Sequence, residues 1–474
     1  MHNQIKILNS LKLVLLSFIL FFGNAAFAAT KYKEVNVNTI TQLEEAVAAV
    51  TTPTKIIVAN GTYNDSDISL RGNKAEVHII AQTKGQAVIQ RTIKVYGDNI
   101  TIEGFKFNGG NERSNTGGSI YVSGNDCHIT RCNWDNSQAR QWLRVDKDAY
   151  RTEISYNIFQ NKNNNTASTG ETSRQTVQLL FTKRDPIAHN HYIHHNHWKN
   201  IVKGRYSNRY ESLQIVTQED GEEGAVNGAD QNTIVEYNLF EDCNGEGEII
   251  SNKCNASIIR YNTFKDSNGG LTLRWGNGSQ VYGNSLFNCR AGVVSSGKYH
   301  KIHNNYIENM SQEGILIREG APGMDGYGAS EGVDVSFNTA INCRNGALRI
   351  GKASSRQYGG ELIKSTTISN NILIGETAVQ ISSPNNSSTV IRDITFSNNM
   401  YKGRLDSALK NGFSKYTGDI SNPMDTTHTA LMTEKTTGPE AENTTSSLEE
   451  PTTEEPTTEE PETGAFIIKP GILR

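Results

Sequence analysis

The stretch that decides the fold is Asn238–Asn277, NLFEDCNGEGEIISNKCNASIIRYNTFKDSNGGLTLRWGN. It contains one pattern twice: a β-rich run, an Asn, one residue, a Phe. Asn238-Leu239-Phe240 is followed 24 residues later by Asn262-Thr263-Phe264. If each copy is one coil of a stacked solenoid, equivalent residues on successive coils lie one strand spacing apart, about 4.8 Å. Counted back from the next Asn, Lys253 stands nine residues before Asn262 and Arg274 ten before Asn284. The two cations are therefore expected at nearly the same point of adjacent coils, with Glu246 and Glu248 nearby. Such a grouping suits the handling of an anion through a metal better than it suits stabilising a fold.

Outward from this stretch, the unit recurs from about residue 75 to 403 as a β-branched residue, two or three polar ones, Asn, any residue, then an aromatic or aliphatic one. It appears at Asn157, Asn196, Asn238, Asn262, Asn284, Asn305, Asn338, Asn371 and Asn399. The tightest spacings are 24, 22 and 21 residues, and insertions stretch the others to between 28 and 42. Helical repeats are longer and rich in Ala and Leu, whereas these are rich in Asn, Gly, Thr and Ile. The pattern predicts an all-β fold, a single-stranded right-handed parallel β-helix, with the Asn side chains stacked as an internal amide ladder. Cys243, Cys289 and Cys343 each lie five residues after a ladder Asn, with Ser267 and Met310 in the same slot of intervening coils. Cys243 and Cys289 are then two coils apart, too far for a disulfide, and read as small buried hydrophobes. Close Cys pairs of the kind zinc needs are lacking. A bridge between Cys127 and Cys132 stays open.

Upstream, residues 38–50, NTITQLEEAVAAV, form the one convincing helix, with Thr41 and Glu44 at capping-box spacing and Leu43, Ala46, Val47 and Val50 on one face. A short helix leading into the first coil would cap the solenoid end. Residues 1–28 read as a secretory signal: Lys6 and Lys12 precede the run LVLLSFILFFG, and Ala26-Phe27-Ala28 gives a small-x-small cleavage pattern. No later segment is long and apolar enough to span a bilayer. The chain is expected to be exported, to periplasm or medium, as a monomer.

Of 474 residues, 36% are hydrophobic, ample for one large core over 29–433. Residues 434–463 hold ten Glu against one Lys, ending in the tandem EEPTTEEPTTEEPET, and read as a disordered acidic linker. That stretch outweighs the whole formal net charge of −4, so residues 29–433 by themselves are near neutral and give no sign of a nucleic-acid partner. Residues 464–474, GAFIIKPGILR, stand unassigned.

The run GEGEIISNK followed by GGLTLRWGN, with 21 residues from Lys253 to Arg274, resembles polysaccharide lyase family 6, and NRYESLQIV (208–216) looks like that family's Asn-Gly-Gly-Glu-Thr-Ile-Arg-Ile-Gly stretch. The resemblance covers roughly 30–430. It implies a β-helical lyase of alginate or, in one branch, of dermatan sulfate (the chondroitinase B type). It also implies Lys253 as general base, Arg274 as the second catalytic residue, and Asn208, Glu246 and Glu248 as calcium ligands. The sequence departs from the family at Arg209-Tyr210 in place of Gly-Gly, Gln214 in place of Arg, Trp275 in place of His, and through the insertion QEDGEEGAVNGAD.

The chemistry accounts for these residue types independently. Cleaving a uronan by β-elimination removes the proton on C5, next to a carboxylate, and expels the oxygen on C4. A hard cation held by carboxylate and amide oxygens neutralises the substrate carboxylate. A lysine acts as base only when neutral, a form that neighbouring cations favour. A guanidinium stays charged and stabilises developing anions. Glu211, Trp275, Arg318 in IREG and Arg349 in LRIG are further candidates for gripping an anionic polysaccharide. Each of these residues, taken alone, equally describes a solvated strand face; the family spacing of the set favours catalysis. Two other classes stay in play. A β-helical glycoside hydrolase would need an acid and a base across the scissile bond. A non-catalytic carbohydrate-binding solenoid would need neither.

Overall fold

The computed structural model describes residues 32–72, 75–109, 119–137, 139–164, 174–182, 186–204, 208–217, 228–320, 327–351, 361–383, 385–409, 411–418 and 431–441. Every strand pairing is parallel, and each turn of the chain adds one short strand to each of three faces. One face is a sheet of 14 strands running from Lys33–Val37 to Ile394–Ser397. The other two faces join into a 25-stranded sheet because the long strand Ile372–Ser382 contributes to both. This is the expected parallel β-helix, beginning earlier, at Lys33, than the repeat pattern reaches.

The nine ladder asparagines are stacked inside as read. Asn238 Nδ2 donates to Asn262 Oδ1 at 2.9 Å, and that same oxygen accepts the Asn238 backbone N–H at 3.0 Å. The bond repeats from Asn157 to Asn196 through to Asn371 and Asn399. Each amide also donates to backbone carbonyls, so a buried turn that would otherwise strand polar groups is satisfied. Two residues on from ladder asparagines, Phe159, Trp198, Phe240 and Phe264 form a column that Trp134, two residues after Cys132, continues, with neighbouring rings 4.5 to 5.0 Å apart. Cys243 occupies its expected slot, its N–H donating to Ser267 Oγ on the next coil. All six cysteines are buried and free, so the open bridge between Cys127 and Cys132 does not form.

The helix is Ile40–Ala48, with Ile40, Leu43 and Val47 buried. Its cap differs from the expected pair: Thr39 accepts from the Gln42 N–H at 3.1 Å, while the Gln42 side chain accepts from the Asn38 N–H at 3.0 Å. Thr39 has the extended backbone that a cap requires, whereas Thr41 already lies within the first turn. The helix also sits between two paired strands, Lys33–Val37 and Thr54–Val58, instead of ahead of the first coil.

Residues 431–441 lie against the solenoid as a strap across the outer face next to the aromatic column. The Met432 N–H donates to Thr263 Oγ1, Glu434 pairs with Lys199, and the Gly438 N–H donates to His195 O. Further back, Lys84 reaches Pro439 O and Glu440. The first part of the acidic stretch thus packs on the fold. The signal expected at 1–28, residues 442–463 and the tail at 464–474 lie outside the described residues. Among the described residues, no helix is long and apolar enough to cross a membrane.

Candidate active site

One sheet face builds a groove floor. The strands Leu213–Thr217, Glu248–Asn252, Gly270–Leu273, Val293–Ser295, Ile315–Arg318 and Leu348–Gly351 pair in order. Alternation sends Leu213, Ile250, Leu271, Val293, Ile315 and Leu348 inward. It leaves Gln214, Ser251, Thr272, Val294, Leu316 and Arg349 as the outward row. Asn252 pairs with Leu273. Lys253 and Arg274, the next residue on each coil, therefore occupy equivalent points, and their N–H groups continue the ladder to Ile215 O and Asn252 O.

Over this floor lies a cleft of about 320 Å³, whose walls include Asn208, Glu246, Glu248, Arg274, Arg290, Arg318 and Tyr327. Glu246 precedes the strand, and a bulge between Glu248 and Ile250 turns the segment. Gly247, between the two acids, leaves space that a Cβ would take from the Arg290 guanidinium, only 2.7 Å away. Glu211, Glu246 and Glu248 each bring an oxygen within 4.8 Å of the others. Glu211 thus belongs with the acids, where the sequence suggested a sugar contact. Burial, then the Glu211 charge, pushes the Glu246 carboxyl far above its usual range, to about 9. Burial, then Glu248, raises Glu211. Glu248 Oε2 is buried with no hydrogen-bond partner among the described residues. Three converging carboxylates and an orphaned oxygen are a donor set that a hard divalent cation fits. Asn208 lies on the same wall, its Oδ1 accepting the Arg209 N–H at 2.9 Å.

Glu211 is held from below by a closed ring of amides that no motif announced. Gln141 donates to Gln175 and Gln178, and Gln178 donates to Gln214 at 2.6 Å. Gln175 and Gln214 donate to the two Glu211 oxygens at 3.1 and 2.8 Å. A carboxylate only accepts, so it sets the direction of every amide in the ring. Buried Lys162 pins the ring's backbone through Arg140 O and Gln175 O, at 2.9 and 3.2 Å. Recurrence of Gln at 175, 178 and 214 was the available signal.

The remaining candidates divide. Lys253 is outside the cleft walls but acts electrostatically on Glu211. Arg274 Nη1 stands 4.0 Å from Glu248 Oε1. Burial works most strongly against its charge, but Glu248, Tyr327, Glu211 and Glu246 together outweigh burial and hold its pKa above the usual value. Arg349 is turned to Glu313 and Ser382, at 3.3 and 2.9 Å. Trp275 lies under Gly328, where a Cβ would meet its ring at 2.7 Å.

Acids and guanidiniums sharing a groove along a parallel β-helix are what a β-helical polysaccharide lyase requires. Residues 37–421 match the Chondroitinase B family model, and the chain belongs to that family, polysaccharide lyase family 6. The fold is shared with a mannuronic acid specific family 6 lyase from human gut microbiota (TM-score 0.68, 21% identity, 82% of this chain and 92% of that one). It is shared also with a family 6 lyase from Pseudopedobacter saltans (TM-score 0.67, 19% identity, 86% and 99%). A third likeness is the family 6 alginate lyase AlyGC (TM-score 0.65, 23% identity), of which the chain spans about half, 53%, against 81% of its own length. No curated protein matches the sequence.

Proposed function

We propose that the protein cleaves alginate by calcium-assisted β-elimination, leaving a 4,5-unsaturated uronate at the new non-reducing end. The observation that carries this reading is the convergence of Glu246 and Glu248, with Glu211 close behind them, on the cleft that Arg274 lines. Glu246, Glu248 and Asn208, with Glu211 behind them, would hold the ion. When bound, calcium neutralises the uronate carboxylate and so makes the C5 proton more acidic. Lys253 takes that proton; the C5–H electron pair becomes the C4–C5 double bond, and the C4–O bond breaks with its pair leaving on oxygen. Arg274 offsets the negative charge on the carboxylate and the departing oxygen. The secretory pattern of residues 1–28 supports a place of work outside the cytoplasm.

Alginate is favoured because structures sharing the fold are described as acting on mannuronic acid or alginate. Dermatan sulfate is the second reading, favoured by the family's name. The test offers alginate, dermatan sulfate and polygalacturonate, with and without chelator. An ultraviolet chromophore from alginate, lost with chelator, supports the proposal. A chromophore from dermatan sulfate alone selects the second reading; reducing ends without a chromophore mean a hydrolase.

A further inference from the structure

The connection between Arg318 and Ser330 carries a tyrosine that bears on three charged groups of the cleft at once. The Tyr327 hydroxyl donates to Glu248 Oε1 at 2.7 Å, from 79 residues away in the chain. Its ring lies 3.8 Å from the Arg318 guanidinium carbon and 5.1 Å from that of Arg274. The backbone beside it is anchored: Gly328 O accepts from Ser296 Oγ at 2.8 Å, and Gly328 lies so close to the Trp275 ring that a Cβ there would meet it at 2.7 Å. Tyr327 is thus anchored through the residue that follows it and is half-buried.

Its position answers a physical question posed by Arg274 and Glu248. The two stand 4.0 Å apart, and a shift of about 1 Å would make a charge-assisted hydrogen bond, stronger than either bond to a neutral partner. The Glu248 oxygen that Arg274 would take is the one the Tyr327 hydroxyl occupies. The ring meanwhile attracts the guanidinium through its π face.

We propose that Tyr327 is a positioning residue of the active site, whose hydroxyl and ring keep Arg274 from closing onto Glu248, so that the acid serves the cation and the guanidinium serves the substrate. The proposal rests on the calcium-lyase reading above and adds a residue to it. Tyr327→Phe keeps the ring and loses the hydroxyl, so Arg274 closes on Glu248 and competes with calcium. Tyr327→Leu loses both, and Arg318 and Arg274 lose their common support.

The test is calorimetric calcium titration of the full-length, substrate-free protein, followed by turnover as a function of calcium. For Tyr327→Phe, calcium affinity falls about tenfold, as when a group supporting a metal ligand is removed. Its turnover falls at limiting calcium and recovers in excess calcium, a rescue that a merely structural role would not give. Tyr327→Leu stays at least about tenfold below wild type even in excess calcium. Calcium affinity in Tyr327→Phe within twofold of wild type, or tighter, at an unchanged melting temperature, overturns the proposal. Should Tyr327→Leu fail to fold, Tyr327→Phe alone decides. A wild-type chain that takes up no calcium removes the calcium-assisted reading itself, an outcome read before either variant is made.

Discussion

Lys253 and Arg274 owe their adjacency to strand pairing, since Asn252 opposite Leu273 leaves the next residue on each coil at one level. Removing the proposed base should therefore cost chemistry and not structure. Lys253→Ala is expected to lower turnover between about 100- and 10,000-fold, with the melting temperature unchanged. Retained ultraviolet product formation in that variant would sink the assignment. The acids give a second prediction. Glu246 has its pKa raised in the fold, so the folded state binds more protons than the unfolded chain above the ordinary carboxyl range. Stability of the chelated protein should then be full only below the ordinary carboxyl range and be lost progressively from there as pH rises toward about 9. Calcium, by pairing the charges, should flatten that slope, and Glu246→Gln should flatten it without calcium. Parallel melting curves with and without calcium would argue against a cation at these acids.

At the scale of elements, the Asn ladder and the Gln ring solve the same problem: polar groups buried between coils must find partners there. Asn262 gives and accepts bonds to Asn238, Asn284, Val235 and Arg260. Asn262→Leu orphans several of these, at a cost of about 3 kcal/mol, read from the denaturant midpoint. The ring instead supports a site. Gln175→Leu strips one donor from Glu211 and should weaken calcium binding about tenfold while the unfolding midpoint moves much less than in Asn262→Leu. Equal effects on both measurements would make the ring a second ladder and nothing more.

Across the whole molecule, the strap at 431–441 ties late sequence to early coils on a face other than the groove. Its ion pairs depress the Glu434 carboxyl, first through the Lys199 bond. A depressed carboxyl contributes stability above its unfolded pKa and loses it as pH falls through the folded one. Because the pair is mostly exposed, the contribution is under about 1 kcal/mol. Glu434→Gln should lower the melting temperature by about one degree at neutral pH and not at all in acid. Uronan cleavage should be unaffected, because the strap touches no wall of the cleft. A fall in turnover would mean that the strap and the groove communicate.

The sequence by itself determined the architecture, because stacking writes the same short pattern into every coil: nine asparagines in their ladder, and Lys253 and Arg274 at one level, all follow from spacing. Only the tertiary structure decided what the insertions and neighbouring coils bring to the cleft. Glu211 turned out to face the acids because Gln175 and Gln214 hold it there, and Tyr327 reached Glu248 from 79 residues away. Trp275 and Arg349, alike in sequence to groove residues, were claimed by Gly328 and Glu313. Periodicity fixes the height of a residue along a solenoid; which way its side chain turns depends on partners that no period encodes.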